Sequence, residues 1–187
     1  DGIEVYGDEE PGRADSRIER KRRFPRPPDA SGRFVGMNFS YDGWLVAVTE
    51  GGDLFALSRD FSQQHRVRLE GAPARAESAA GNLEGWVRNS FAIGEDGGVY
   101  VVSRDFMHRV QWTGHGWSQA EADGAWREPY PNGAGNGSGS TPSLMGFGAG
   151  DRFVVITDGD ALMNLTLFWR DAIPADWKGL PGVSRRI

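Results

Sequence analysis

Short apolar runs recur along the chain between glycine-rich turns, a pattern of brief β-strands rather than of long amphipathic helices. Three runs stand out: Leu45-Val-Ala-Val-Thr-Glu50, Val99-Tyr-Val-Val-Ser-Arg104 and Phe153-Val-Val-Ile-Thr-Asp158. Each is an apolar stretch closed by a hydroxyl residue and then a charged one. The hydroxyls Thr49, Ser103 and Thr157 are spaced 54 residues apart. A repeat of this kind decides the architecture before any local assignment does.

Asp42-Gly43, Asp96-Gly97-Gly98 and Gly148-Ala-Gly-Asp151 precede the three runs. Asp-Gly between apolar segments is a hairpin signal, because glycine takes positive φ without a steric cost. Upstream lie Met37–Tyr41, Ser90–Ile93 and Thr141–Met145, which read as first strands. Downstream lie Asp53–Leu57, Phe106–Trp112 and Asn164–Trp169, rich in β-branched and aromatic residues and read as third strands. A more polar fourth strand follows at His65–Leu69 and around Trp117, where an edge position tolerates charge. Residues 72–80 read as a loop. The identical Ser-Arg-Asp-Phe at 58–61 and 103–106 offers a competing offset of 45, but it pairs a third strand with a second and leaves Phe153–Asp158 unmatched.

Four antiparallel strands recurring at this spacing predict an all-β fold, a β-propeller, with a β-sandwich as the alternative. Residues 1–33 read as an outer half-blade, 34–85 and 86–132 as blades, and 133–187 as an incomplete blade with a Pro- and Gly-punctuated tail. With 187 residues the chain holds about three and a half such units. Propellers close with about four to eight blades, so a second chain or a missing segment is expected to complete the ring.

Composition narrows the chemistry. There is no cysteine, which removes disulfides, thiolate metal sites and a cysteine nucleophile. No apolar run reaches the roughly 18 residues of a membrane helix, so a soluble chain is expected, secreted or periplasmic, with no membrane partner. The net charge of −5 argues against nucleic acid as a partner. Among basic residues lysine occurs only at 21 and 178, and this arginine bias suggests a GC-rich bacterial source. The basic run Arg17–Arg26 reads as a solvated outer strand rather than an anion site.

The segments Asp42-Gly43 to Gly52, Asn89-Ser90 to Ser103 and Gly137 to Asn164 resemble bacterial propellers of the quinoprotein-like class. The resemblance covers most of residues 34–170 and implies the fold and, as an activity, a quinone-dependent dehydrogenase. A more distant similarity to gluconolactonase-like and regucalcin-like propellers implies Asn and Asp channel ligands for a divalent ion that polarises a lactone or ester.

Functional groups of a propeller gather on loops at one face of the channel. That face is expected to present Trp86, Arg88, Ser138, Ser140 and Thr141 to a small-molecule ligand, with Asp158, Asp160 and Asn164 in the other loop set. Asn38 and Asn89 stand at matching starts of first strands, and two converging amide oxygens suit a hard cation such as Ca²⁺. Their alternative role is to cap loop backbone, as Asx residues do. Asp158-Gly-Asp160 with Asn164 suggests a calcium loop or a plain turn. The glycine run 133–139 lacks the Lys-Ser/Thr and following helix of a phosphate loop. His65, His108 and His115 make no triad with Ser138 or Ser140, and no GxSxG or HExxH motif occurs. Binding of a small molecule at the central channel face is the first functional expectation, with the metal-assisted lactone or ester hydrolysis that the distant resemblance implies, and a quinone-dependent dehydrogenase or a non-catalytic interaction scaffold as alternatives.

Overall fold

The computed structural model describes residues 2–73, 86–146 and 150–187. The described residues are all-β, with one short 3₁₀ turn at Glu121–Asp123. Four antiparallel sheets follow one another along the chain. The first pairs β1 (Gly2–Asp8) with β2 (Ile18–Pro25). The second runs β3 (Phe34–Phe39), β4 (Leu45–Thr49), β5 (Asp53–Leu57), β6 (Gln64–Arg68) in chain order. The third holds β7 (Ala92–Ile93), β8 (Gly98–Val102) and β9 (Phe106–Trp112), with β10 (Trp117–Ser118) and β11 (Trp126–Pro129) both on the outer side of β9. The fourth is β12 (Ser143–Met145), β13 (Phe153–Thr157), β14 (Leu165–Trp169).

The sheets stack face to face, and the alternation of side chains shows how. In β4 and β5, Leu45, Ala47, Phe55 and Leu57 pack against Ile3 and Phe24 of the first sheet. Their alternate neighbours Val46, Val48, Leu54 and Ala56 pack against Val99, Val101 and Val110 of the third. On its opposite side the third sheet presents Tyr100, Val102 and Met107 to Val154, Ile156 and Phe168 of the fourth. A strand covered on both faces reads as an unbroken apolar run. That is why β4, β5 and β8 are buried at every position.

Two glycines show what the backbone needs. Gly43 closes the β3–β4 hairpin at φ 89°, a left-handed conformation that favours glycine. Gly36 in β3 lies so close to the segment leading into β7 that an added Cβ would sit 2.7 Å from the Cα of Ser90. The first strands of the second and third sheets therefore approach each other backbone to backbone.

Polar ties hold neighbouring sheets in register. The fully buried carboxylate of Asp53 accepts from the Ser31 backbone N–H at 2.7 Å and pairs with Arg66 at 2.9 Å and Arg68 at 3.3 Å. Arg66 reaches on to Asp29 at 2.6 Å, so β6 is fastened to the segment that follows β2. The Trp112 indole N–H donates to Asp42 at 2.9 Å, linking the third sheet to the first turn of the second.

Three features differ from the sequence expectation. The repeat slips by one residue in its last interval. Thr49 Oγ1 accepts the N–H of Asp53 and Ser103 Oγ that of Phe106, each capping a β-hairpin loop, but the third such acceptor is Asp158, which takes the N–H of Asn164. The equivalent of Ser103 is therefore Asp158, 55 residues on, and not Thr157. Face alternation agrees, since Val154 and Ile156 point back to the third sheet as Val99 and Val101 point back to the second. The fourth strand of the third sheet is split into β10 and β11 by the 3₁₀ turn. The first strands of the third and fourth sheets are shorter than expected, β7 having two residues and β12 three, whereas β3 has six. The fourth sheet has three strands among the described residues. The expected loop at 72–80 and turn at Gly148–Asp151 lie largely outside the described residues. The basic run is the outer strand β2, exposed except at Phe24.

Candidate functional site

The expected ligand residues separate into two groups, with a hydroxyl ladder leading from the first group to the fourth sheet. Trp86, Arg88, Asn89 and Ser138 come together between the third sheet and the loop leading into the fourth, around a cavity of about 10 Å³ that Ser103 and Gly137 also line. A single water needs at least that much room, so the space holds no organic ligand. The polar groups there bind one another. Asn89 Nδ2 donates to the Ser138 carbonyl at 3.0 Å. The Ser138 N–H donates to the Tyr130 hydroxyl at 2.9 Å, and that hydroxyl lies 2.6 Å from the Ser103 carbonyl. Burial pushes the Tyr130 phenol up to about 12, so it stays protonated. Trp86 is a core residue, its ring edge-on to His108 at 5.7 Å. Arg88 is exposed.

From this cluster a hydroxyl ladder continues to the fourth sheet. Ser138 Oγ is 3.2 Å from Ser140 Oγ, which in turn accepts the N–H of Thr157 at 2.9 Å. Thr141 is exposed beside it.

The second group is the β13–β14 loop. Asp158 is buried and accepts from the N–H of Asp160 at 3.2 Å, the N–H of Asn164 at 3.0 Å and Asn164 Nδ2 at 2.8 Å. Burial alone raises its pKa, but these three hydrogen bonds outweigh that and hold the carboxyl below its ordinary range. Asp160 accepts the Gly133 N–H. The loop is thus a closed Asx-type turn in which the Asp158 oxygens face the loop itself and Asp160 ties it to the segment at Gly133.

The two asparagines expected as metal ligands are engaged separately. Asn38 lies on the exposed end of β3 with its Oδ1 accepting the N–H of Phe39, whereas Asn89 sits in the cleft described above. Among the described residues no group of three or more His, Asp or Glu side chains gathers where an ion could sit. A divalent ion needs several oxygen ligands, including carboxylates for tight binding, and these residues do not supply them.

One polar pair was not anticipated. Ser103 Oγ lies 3.0 Å from His108 Nε2, both residues almost wholly buried. Burial, then the Arg127 charge, pushes the His108 pKa down to about 3, so the imidazole is neutral through the physiological range. Ser103 is its only hydrogen-bond partner among the described residues. Without an acid partner or access to solvent the pair is a pin on the β8–β9 hairpin rather than a nucleophile and base. The signal was present: His108 shares a face of β9 with Val110, which packs toward the second sheet.

No family model matches the chain. It is 41% identical to an uncharacterized protein of Archaeoglobus fulgidus over 192 aligned residues, which cover 99% of this chain and 34% of that protein. The chain spans about a third of the length of that relative. The relative is archaeal, so the expected bacterial source finds no support there. No helix among the described residues is long and apolar enough to cross a membrane.

Proposed function

We propose that this chain is a run of β-propeller blades and that it acts as a binding scaffold rather than through catalytic groups of its own. The observation that carries the reading is serial stacking. Each sheet packs on the one before it and the one after it in chain order, whereas a sandwich folds its strands into two layers. The close approach of Gly36 to Ser90 supports it further, since innermost strands of adjacent blades converge on a channel.

Binding is favoured over catalysis because the candidate polar groups are engaged in tying sheets and hairpins together. Metal-assisted ester or lactone hydrolysis would need carboxylates supplied from outside these residues. A quinone at the expected channel face would need a stacking platform there, and Trp86 is packed in the core between the second and third sheets. The completing blades would come from a longer chain, such as the relative's length allows, or from a second chain.

Electron microscopy of the full-length native protein tests the reading. A closed ring of sheets with β3, β7 and β12 innermost is expected. A two-layered sandwich, or an open stack with no axis, contradicts it.

A further inference from the structure

In the second and third sheets the third strand carries a further strand on its outer side: β6 on β5, and β10 with β11 on β9. In the fourth sheet β14 pairs only with β13 among the described residues. The outer edge of β14 can be read from two hydrogen bonds. Asn164 directs its carbonyl inward, to the N–H of Asp158, and Trp169 directs its N–H outward, to the carbonyl of Arg186. Backbone groups alternate in direction along a strand, so Leu165 and Leu167 direct their N–H and C=O outward with Trp169. No partner for those groups occurs among the described residues.

This edge borders a groove rather than bare solvent. About 600 Å³ of space runs over the far face of the sheet and reaches this edge, walled by Phe153, Leu167 and Trp169, whose alternate neighbours face the third sheet, and by Trp177, Leu180 and Val183 of the C-terminal segment. Leu165 is 71% exposed and Leu180 53%, so large apolar surface stands uncovered along it. The exposed carboxylate of Asp151 lines it and no arginine or lysine does, while the Asp158 carboxylate at its end is taken up by the hairpin loop.

We propose that the groove beside β14 binds an extended peptide segment of alternating apolar and basic residues, which adds to the fourth sheet as its missing outer strand. Unpaired outward amides supply the main-chain bonds of strand addition, and flanking apolar pockets take alternate side chains. The chemistry of the occupant follows from the outer strands already present. β2 carries Arg20, Lys21, Arg22 and Arg23, and β6 carries Arg66 and Arg68 about Val67. A segment of that kind complements a groove whose free charged lining is the Asp151 carboxylate. The inference rests on the blade reading only for the expectation that four strands make the unit.

The test uses the 187-residue chain, isotopically labelled, and a capped peptide of residues 64–69, Gln-His-Arg-Val-Arg-Leu. Saturable shifts and at least a tenfold slowing of hydrogen exchange at the Leu165 and Leu167 amides are expected. A peptide with proline in place of the central valine lacks a ladder N–H and is expected to bind at least tenfold more weakly. Leu165→Lys, at an exposed position, is expected to weaken binding tenfold or more with the far-ultraviolet circular dichroism unchanged. Absence of saturable change at millimolar peptide overturns the proposal. So does equal binding of the proline peptide, or a dimer of the free chain that already protects both amides. Peptide binding without a ring in the microscope would leave this inference standing and remove the propeller. A ring beside a groove that ignores the peptide would do the reverse.

Discussion

β5 and β14 hold the same place in their sheets and have opposite surroundings. All five residues of β5 are buried: its backbone pairs with β4 and β6, and its side chains meet the first sheet on one face and the third on the other. β14 buries only alternate residues, Thr166 and Phe168, and leaves its outer edge and far face to a groove. The difference comes from company rather than composition, since Asp-Leu-Phe-Ala-Leu is no more apolar than Leu-Thr-Leu-Phe-Trp. A strand's burial is a property of the stack around it.

Truncation at the two strands should diverge most. Phe55 is fully buried among Phe24 and Phe34, with ring centroids at 6.0 and 5.6 Å. Phe55→Ala should cost about 3–5 kcal/mol in denaturant unfolding, the range for a large buried aromatic. A loss below about 1 kcal/mol would mean that β5 is not enclosed. Asp53→Asn, at the start of the same strand, should cost about 2–3 kcal/mol, because it leaves Arg66 and Arg68 without their carboxylate, discounted for the partial exposure of both arginines. Gly36→Ala should cost about 1–3 kcal/mol by forcing a methyl against Ser90. A neutral outcome there would separate the first strands that the stack brings together.

At the fourth sheet the expected effects are smaller and depend on pH. The Asp158 carboxyl has a folded pKa below its unfolded value, so its stabilisation is complete above the ordinary carboxylate range and is lost as pH falls through the folded pKa. Thermal melts from pH 6 down to about 2 should show that loss in the native chain and a shallower one in Asp158→Asn. Identical acid profiles would detach Asp158 from the hairpin. Leu165→Ala, at an exposed edge, should change stability by less than about 0.5 kcal/mol.

Strand positions were largely legible from apolar runs and turns. Asp53–Leu57 and Phe106–Trp112 match the expected third strands to the residue. The one-residue slip was not legible, because Thr157 copies the hydroxyl pattern while Asp158 performs the capping. An apolar run buried on both faces hides its own phase, and only the neighbouring sheets reveal which side chains face which way. The split of the outer strand into β10 and β11 was also hidden, since edge positions carry little hydrophobic signal. For the site, the turn-rich Ser, Asn and Asp residues were easy to notice. Their engagement with hairpin and loop backbone was not, because it depends on the loops' three-dimensional closure. Ser103 and His108 escaped notice for the same reason: five residues apart, they meet only across the β8–β9 hairpin.

Native-state hydrogen exchange on the free chain, resolved by residue, tests the contrast between the enclosed and the open strand most directly. Amides of Leu54 to Leu57, paired on both sides and fully buried, should exchange only by global unfolding and rank among the slowest. Those of Leu165 and Leu167 should exchange at least about a thousandfold faster through local solvent contact. Equal protection of the two strands would contradict an open edge at β14 and with it the account of the stack given above.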